Sequence, residues 1–434
     1  MTPETAGIVG LAVLFLLLAL RMPIAFALGL VGFAGFGYVV GLGPALGILG
    51  MEPFETTATY ALSVVALFVL MGQFISHTGL AEDAYGTVHK WVGHLPGGIA
   101  MATIGACAAF AAVSGSSLAT GATLGAVSLP EMKRYKYKSA LATGAIAAGG
   151  TLGILIPPSV ILVFYGIIAE QSIGKLFLAG FIPGFLLAAM FMFYIYLVCR
   201  FRPESAEIVQ KAPVRERIAS LKKTWGVLLL FVIVMGGIYT GVFTPTEAGG
   251  IGAFGALIFA LLRGKLTWRD FFVSLRMSVE TTTMLLLIII GAAIFTYFMA
   301  VTNIPSLTAE FVIGFGLPRY LVVGIIIVVY LILGCFLDSF GMMTLTMPIV
   351  LPTIQTLGYD PIWFGVMIVI VCEAGLITPP LGLNVFVIAG VAKDVPMYTI
   401  FRGVTPFLGI MILLVVILIA FPEIALFLPN VLMG

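Results

Sequence analysis

The stretch Gly153-Ile-Leu-Ile-Pro157-Pro158-Ser159 sits mid-way along the apolar run 139–169. At an offset of 222 positions, Gly375-Leu-Ile-Thr378-Pro379-Pro380-Leu381-Gly382-Leu383-Asn384 sits mid-way along another, 362–391. Two consecutive prolines remove two amide donors and bar the residue before them from helical geometry. Each run therefore reads as a broken helix whose unwound middle exposes backbone carbonyls. In hydrocarbon such carbonyls are tolerated only where protein, water or an ion satisfies them. Several carbonyls, one or two hydroxyls and little formal charge suit a small hard cation such as Na⁺. The half-helix starting beyond each break offers free amides and a positive dipole end, which suit a carboxylate. A packing kink is the plainer reading of one Pro-Pro pair, and two in matching register weigh against it.

The register extends outward without a gap. Leu95-Pro96 matches Leu317-Pro318, Leu129-Pro130 matches Leu351-Pro352, Tyr137 matches Tyr359, and Val163-Phe164 matches Val385-Phe386. Ahead of each broken helix lies another apolar stretch, 97–129 and 320–351, interrupted by Ser114-Gly115-Ser116-Ser117 and by Asp338-Ser339. At about 30 residues each, these suit two half-length helices entering and leaving on one side, that is, re-entrant hairpins. Ser116 aligns with Asp338, and Ser117 with Ser339.

The whole chain agrees with a membrane setting. Of 434 residues, 61% are hydrophobic and 9% charged, against roughly 25% charged in soluble domains. This excludes most cytoplasmic enzymes, secreted domains and nucleic-acid binders, and lipid is the expected solvent. The four cysteines, at unrelated spacings inside apolar runs, form neither a disulfide nor a zinc pattern. The first run, 6–20, follows Glu4 and precedes Arg21, the reverse of a secretory signal, and is read as a retained span. Further spans are expected at 23–43, 60–76, 176–199, 224–243, 248–262, 279–301 and 404–428.

Ten spans and two hairpins with an external N-terminus place 19 of the 21 Lys and Arg inside, leaving Lys175 and Arg319 outside. This is the asymmetry of cytoplasmic loops, and both termini fall outside. The loop 130–138 is basic and inside, whereas its counterpart 352–361 has no basic residue and is outside. The copies are thus expected to be inverted, as in secondary transporters with mid-depth sites. The expected fold is an all-α polytopic membrane protein with inverted repeats, two re-entrant hairpins and two broken helices. Its expected parts are N-terminal scaffold spans (1–59), a first repeat (60–175), scaffold spans with a cytoplasmic connector at 200–223 (176–278), a second repeat (279–403) and a C-terminal scaffold span (404–434).

The tips carry the polar chemistry. Ser114 to Ser117, followed by Thr120 and Thr123, put several hydroxyls at a half-helix junction, although small polar residues also serve as packing glue. A carboxylate at the turn of an apolar hairpin is costly, so Asp338 is read as supporting a cation, with helix capping as the alternative. Glu280 and Glu373 fall within or near spans; Glu373 belongs to the site region or is a buried, hydrogen-bonded acid. His77, His89 and His94 fit no metal motif and read as interfacial. There is no Walker-type phosphate loop, so ATP hydrolysis by this chain is not expected. No hydrolase constellation shares one depth, and no enzymatic activity is expected.

Together, Ser114-Gly-Ser-Ser-x-Ala-Thr120, Pro130-Glu-Met, Gly153-x-x-Ile-Pro-Pro-Ser159, Leu337-Asp338, Pro348-x-x-x-Pro352, Gly358-x-Asp-Pro361 and Gly375-x-x-Thr-Pro-Pro-x-Gly382-x-Asn384 resemble the large membrane subunit of TRAP transporters. The likeness covers nearly the whole chain. It implies a Na⁺-coupled importer of organic acids such as dicarboxylates or sialic acid in the bacterial inner membrane, working as an elevator. It also implies a periplasmic substrate-binding protein and a small four-helix membrane subunit, here expected as a separate chain. Carried over by motif, one Na⁺ site involves Ser114, Gly115 and Ser116 with the backbone at Gly153 and Pro157. A second involves Asp338 and Gly341 with Gly375, Thr378 and Pro379. Substrate is expected between them, near Ser116, Ser117, Ser159, Thr378 and Asn384. The rival readings are a stand-alone Na⁺/carboxylate symporter of related architecture and an anchoring subunit with degenerate sites.

Overall fold

Both Pro-Pro pairs break their helices. In the computed structural model, which describes every residue except 208, 315–317, 381 and 434, helix Ser139–Leu155 stops before Pro157 and resumes as Val160–Ile168 at an angle of 46°. Helix Pro361–Gly375 stops before Thr378 and resumes as Leu383–Val391. Both Pro-Pro bonds are cis. Leu317 and Leu381, used in the motif comparison, lie outside the described residues.

Each expected hairpin is a pair of helices. The first is Gly98–Ser114 and Ser117–Arg134, and the second is Arg319–Gly334 and Ser339–Thr356. Both return to where they began. The Ile99 amide donates to the Tyr137 hydroxyl at 3.2 Å across the base of the first. The Arg319 guanidinium lies 5.6 Å from the centre of the Tyr359 ring across the base of the second. The second arms run past the expected ends at 129 and 351, to Arg134 and Thr356, with Pro130 and Pro352 inside the helix. A single proline removes one intrahelical bond, which a helix held by neighbours survives. Ser117–Arg134 shifted by 222 positions is Ser339–Thr356, so the repeat read from prolines recurs in helix boundaries.

Among the described residues the chain is all helix, without strands. Among the described residues four helices are long and apolar enough to cross a membrane, Ile173–Phe201, Pro245–Leu262, Trp268–Val301 and Met397–Ala420, and up to seven spans result if each bent pair counts as one. The expected spans at 6–20 and 23–43 are the helices Pro3–Ala19 and Ile24–Val39. Four further helices were not anticipated: Leu42–Ala58, Leu80–Val92, Ile304–Gly314 and Glu423–Met433. Their composition is too mixed or their length too short for a hydropathy reading. Leu80–Val92 carries Glu82, Asp83, His89 and Lys90 yet buries Leu80, Ala81, Ala84 and Tyr85. The run 404–428 is interrupted at Phe421-Pro422. The polar stretch 200–223 is irregular only in part, because the helix Val214–Tyr239 begins within it. Helix Trp268–Val301 is unbroken across 278–279.

The hairpins and broken helices pack together, and Ile173–Phe201 and Met397–Ala420 pack on them. Ser63–Ser76 packs chiefly on Pro245–Leu262 and Trp268–Val301, and Ile24–Val39 on Trp268–Val301. The basic loops meet at one end. Lys90 pairs with Glu216 at 3.6 Å, Lys138 with Glu204 at 3.0 Å, Lys136 with Glu207 at 2.7 Å, and Arg263 with Asp83. Backbone bonds join the same segments: the Lys138 amide donates to the Ser205 carbonyl, and the Glu207 amide to the Tyr135 carbonyl, both at 3.1 Å.

Candidate functional site

The first tip is shaped by its glycine and serines. Gly115 takes a left-handed φ of +60° at the end of Gly98–Ser114, a conformation that a Cβ disfavours. Ser116 is extended, and its hydroxyl accepts from the Ala119 amide at 3.3 Å, capping the next helix. Ser114 and Thr120 hydroxyls bond across the tip at 2.8 Å. At the second tip, Asp338 Oδ1 accepts from the Gly341 amide at 3.0 Å. Asp338 is therefore a helix cap, the plainer of its two readings, and it also lines a cavity.

That cavity, of about 490 Å³, brings the two tips together. Ser114, Gly115, Ser116 and Ser117 line it from the first copy, and Asp338 and Ser339 from the second. The wall also includes Val69, Gln73, Ser76 and His77, and Val273, Met277, Thr281 and Met284. Four helix starts reach it: Ser117, Val160, Ser339 and Leu383. No Lys or Arg lines it among the described residues. The field at such a place is set by amide dipoles rather than by full positive charges.

The breaks stand behind the tips. A Cβ on Gly153 would lie 2.7 Å from the Ser116 carbonyl oxygen and 2.8 Å from the Thr120 hydroxyl, so only glycine lets the broken helix touch the tip. The Cys335 thiol donates to the Pro379 carbonyl at 3.1 Å, joining the second tip to the second break. Pro157 is buried, whereas Pro379 is exposed. Gly153, Pro157, Gly341, Gly375, Thr378 and Pro379 are not in the cavity wall. Ser159 is fully buried, and its hydroxyl accepts from the Leu162 amide at 3.3 Å. The Thr378 hydroxyl donates to the Ala374 carbonyl at 2.7 Å.

Glu373 and Asn384 are both buried, 1% and 3% exposed. The Ser339 hydroxyl donates to Glu373 Oε1 at 3.3 Å, while Glu373 Oε2 and both amide atoms of Asn384 have no partner among the described residues. Glu280 is not in the cavity wall; it is exposed and paired with Arg276 at 2.7 Å.

The comparisons with known proteins agree with this architecture. A family model described as "Tripartite ATP-independent periplasmic transporter, DctM component" matches residues 11–424. The chain belongs to this family. Similar relatives include the C4-dicarboxylate TRAP transporter large permease protein DctM of Pseudomonas aeruginosa, 39% identical with 88% of this chain and 89% of the relative covered. The sialic acid TRAP transporter large permease protein SiaM of Vibrio cholerae is 34% identical, with 86% and 87% covered. The isethionate TRAP transporter permease protein DctMQ of Oleidesulfovibrio alaskensis is 32% identical, with 95% of this chain and 64% of the relative covered. Among solved structures, the YdaH transporter of Alcanivorax borkumensis is similar in fold, with TM-score 0.60, 14% identity and coverage of 87% and 89%. MtrF of Neisseria gonorrhoeae follows with TM-score 0.55, 16% identity and coverage of 90% and 85%.

In this DctM-family chain, sequence reasoning overlooked the part of the cavity wall that the two hairpins do not supply. Gln73 was the available signal, an amide inside the apolar run 60–76. His77, read as interfacial, lines the cavity about one turn further along.

Proposed function

We propose that this chain is the large membrane subunit of a Na⁺-coupled, binding-protein-dependent importer of a small organic acid across the bacterial inner membrane. The carrying observation is the convergence of four helix starts, Ser117, Val160, Ser339 and Leu383, on one cavity between the tips. Amide-rich helix starts favour a carboxylate, and the cavity's size falls within the range of small-molecule sites. The relatives named for C4-dicarboxylates and sialic acid support that substrate class.

The donor set fits Na⁺ as the co-transported ion: hydroxyls, carbonyls and one carboxylate, all hard oxygens. Ser114, Gly115 and Ser116 with the backbone at Gly153 and Pro157 would hold one ion. Asp338 and Gly341 with Gly375, Thr378 and Pro379 would hold another. Asp338 Oδ1 is engaged by Gly341, which leaves its second oxygen for the ion. Ser116 and Ser117 are the proposed first contacts for substrate. Ser159, Thr378 and Asn384 stand behind the wall and reach substrate only if the breaks rearrange. Na⁺ favours the closed arrangement through its differential affinity for it.

The proposed motion is an elevator of inverted repeats. The base of the first hairpin, at Ile99 and Tyr137, adjoins the basic loops. The base of the second, at Arg319 and Tyr359, adjoins Pro361, whose carbonyl accepts from the Tyr165 hydroxyl at 2.7 Å, beyond the first break. Opposite openings are the reading these contacts favour. The sequence-based division put Ile173–Phe201 and Met397–Ala420 in the scaffold, and Ser63–Ser76 and most of Trp268–Val301 in the repeats; the packing favours the reverse assignment, in which the first pair travels with the hairpins against the second. The partners are a small membrane subunit and a periplasmic substrate-binding protein, and both termini face the periplasm.

Reconstitution tests the whole reading. Vesicles holding this chain and its small subunit should take up a C4-dicarboxylate or sialic acid only with an inward Na⁺ gradient and the matching binding protein. Uptake without the binding protein would favour a stand-alone symporter, and Na⁺-independent uptake would refute the coupling.

A further inference from the structure

A second cavity, of about 360 Å³, opens at the end of the molecule where the basic loops gather, between Lys138, Tyr194, Arg202, Ser205, Tyr398 and Arg402. Its walls are the start of Ser139–Leu155, the end of Ile173–Phe201 with the turn Pro203–Ser205, and the start of Met397–Ala420. The walls are held in register. Gly144 and Gly403 let two of these helices cross backbone against backbone, since a Cβ on either would strike the other helix. The Lys138 amide bonds the Ser205 carbonyl at 3.1 Å.

The charge inside is only partly balanced. Lys138 pairs with Glu204 at 3.0 Å, while Arg202 and Arg402 make no ion pair with any described residue. Two guanidinium forks beside tyrosine side chains match the oxygens of a phosphate group. Ile173–Phe201 and Met397–Ala420 are both of spanning length and apolar composition, and both meet the cavity at their polar ends. This is the depth at which tyrosines and basic residues meet the head-group layer. Basic pockets between spans on the cytoplasmic side suit anionic head groups. We propose that this pocket binds the phosphate of an anionic phospholipid of the inner leaflet. The assignment to the inner leaflet rests on the orientation proposed above; the pocket's affinity does not.

Native mass spectrometry on the purified full chain tests it, with phosphatidylglycerol and phosphatidylcholine as probes and inorganic phosphate as a separate arm. Wild type should retain phosphatidylglycerol in preference to phosphatidylcholine. Arg202→Gln combined with Arg402→Gln should weaken that retention by about tenfold, which corresponds to roughly 1.4 kcal/mol. Arg200→Gln combined with Lys393→Gln, outside the cavity wall, should leave it unchanged. Arg402→Lys keeps the charge without the fork and should give an intermediate loss, serving if the double variant fails to fold. Equal retention by wild type and pocket variants, or equal loss in the control pair, would overturn the proposal. So would displacement of the lipid by millimolar inorganic phosphate, which would make this a soluble-anion site. Loss of Na⁺-driven uptake with lipid retention intact would count against the transport reading alone.

Discussion

Gly334 and Gly375 cross with their backbones in contact: a Cβ on Gly334 would stand 2.6 Å from the Gly375 Cα, and one on Gly375 2.7 Å from the Gly334 Cα. The second hairpin's first arm is thereby pinned to the helix that ends at the second break. Alanine at either position forces the helices apart, an overpacking that costs about 1–3 kcal/mol. Gly375→Ala should lower the melting temperature in detergent and reduce uptake. A variant with unchanged melting would show that this crossing is loose.

Asp338 combines a cap with a place in the cavity wall. Asparagine caps helices as well as aspartate does, whereas alanine gives up about 1 kcal/mol. Asp338→Asn should therefore fold normally yet need more Na⁺ for half-maximal uptake, and Asp338→Ala should also melt earlier. An unshifted Na⁺ activation curve for Asp338→Asn would remove the carboxylate from the ion site.

Glu373 links the second tip to the helix behind it through Ser339. Removing the acceptor leaves a buried hydroxyl unpaired, at about 1–3 kcal/mol. Glu373→Ala should melt below wild type, and Glu373→Gln, which retains an oxygen for Ser339, should melt near it. Thermal unfolding of the two purified variants decides this, and equal destabilisation would show that the bond from Ser339 is not what the carboxyl contributes.

The connector should loosen in acid. The bond from Lys138 holds the Glu204 carboxyl below its ordinary value of 4.5, and the bond from Lys133 holds Asp394 below 3.8. Depressed carboxylates add stability above their unfolded pKa and lose it as pH falls through the folded value. These groups are exposed, so the contribution is small. Amide exchange at Lys138 and Glu207, corrected for intrinsic rate, should rise below about pH 4.5 and be raised already at neutral pH by Glu204→Gln. Pairs that matter little would leave exchange flat.

The local breaks were legible in the sequence because proline and glycine act on the backbone at their own positions. Pro157-Pro158, Pro379-Pro380, Gly115 and the serines after it announced where helices stop, whatever surrounds them. The same feature made the repeat visible, since the matched prolines and glycines recur at one offset. Leu80–Val92 was not legible, because a helix with charges in its first and last turns escapes a hydropathy reading.

Composition and backbone chemistry alone determined a membrane chain of paired, interrupted helices with hydroxyls and one acid at its turns. Only the tertiary structure decided that tips 222 residues apart share one cavity, that Gln73 and His77 line it with them, and that Ser159 and Asn384 stand behind the wall. Helix breaks are local events, but which surfaces meet depends on close approaches such as Gly153 on Ser116 and Gly334 on Gly375. Those join distant parts of the chain and leave no signature in the residues between them.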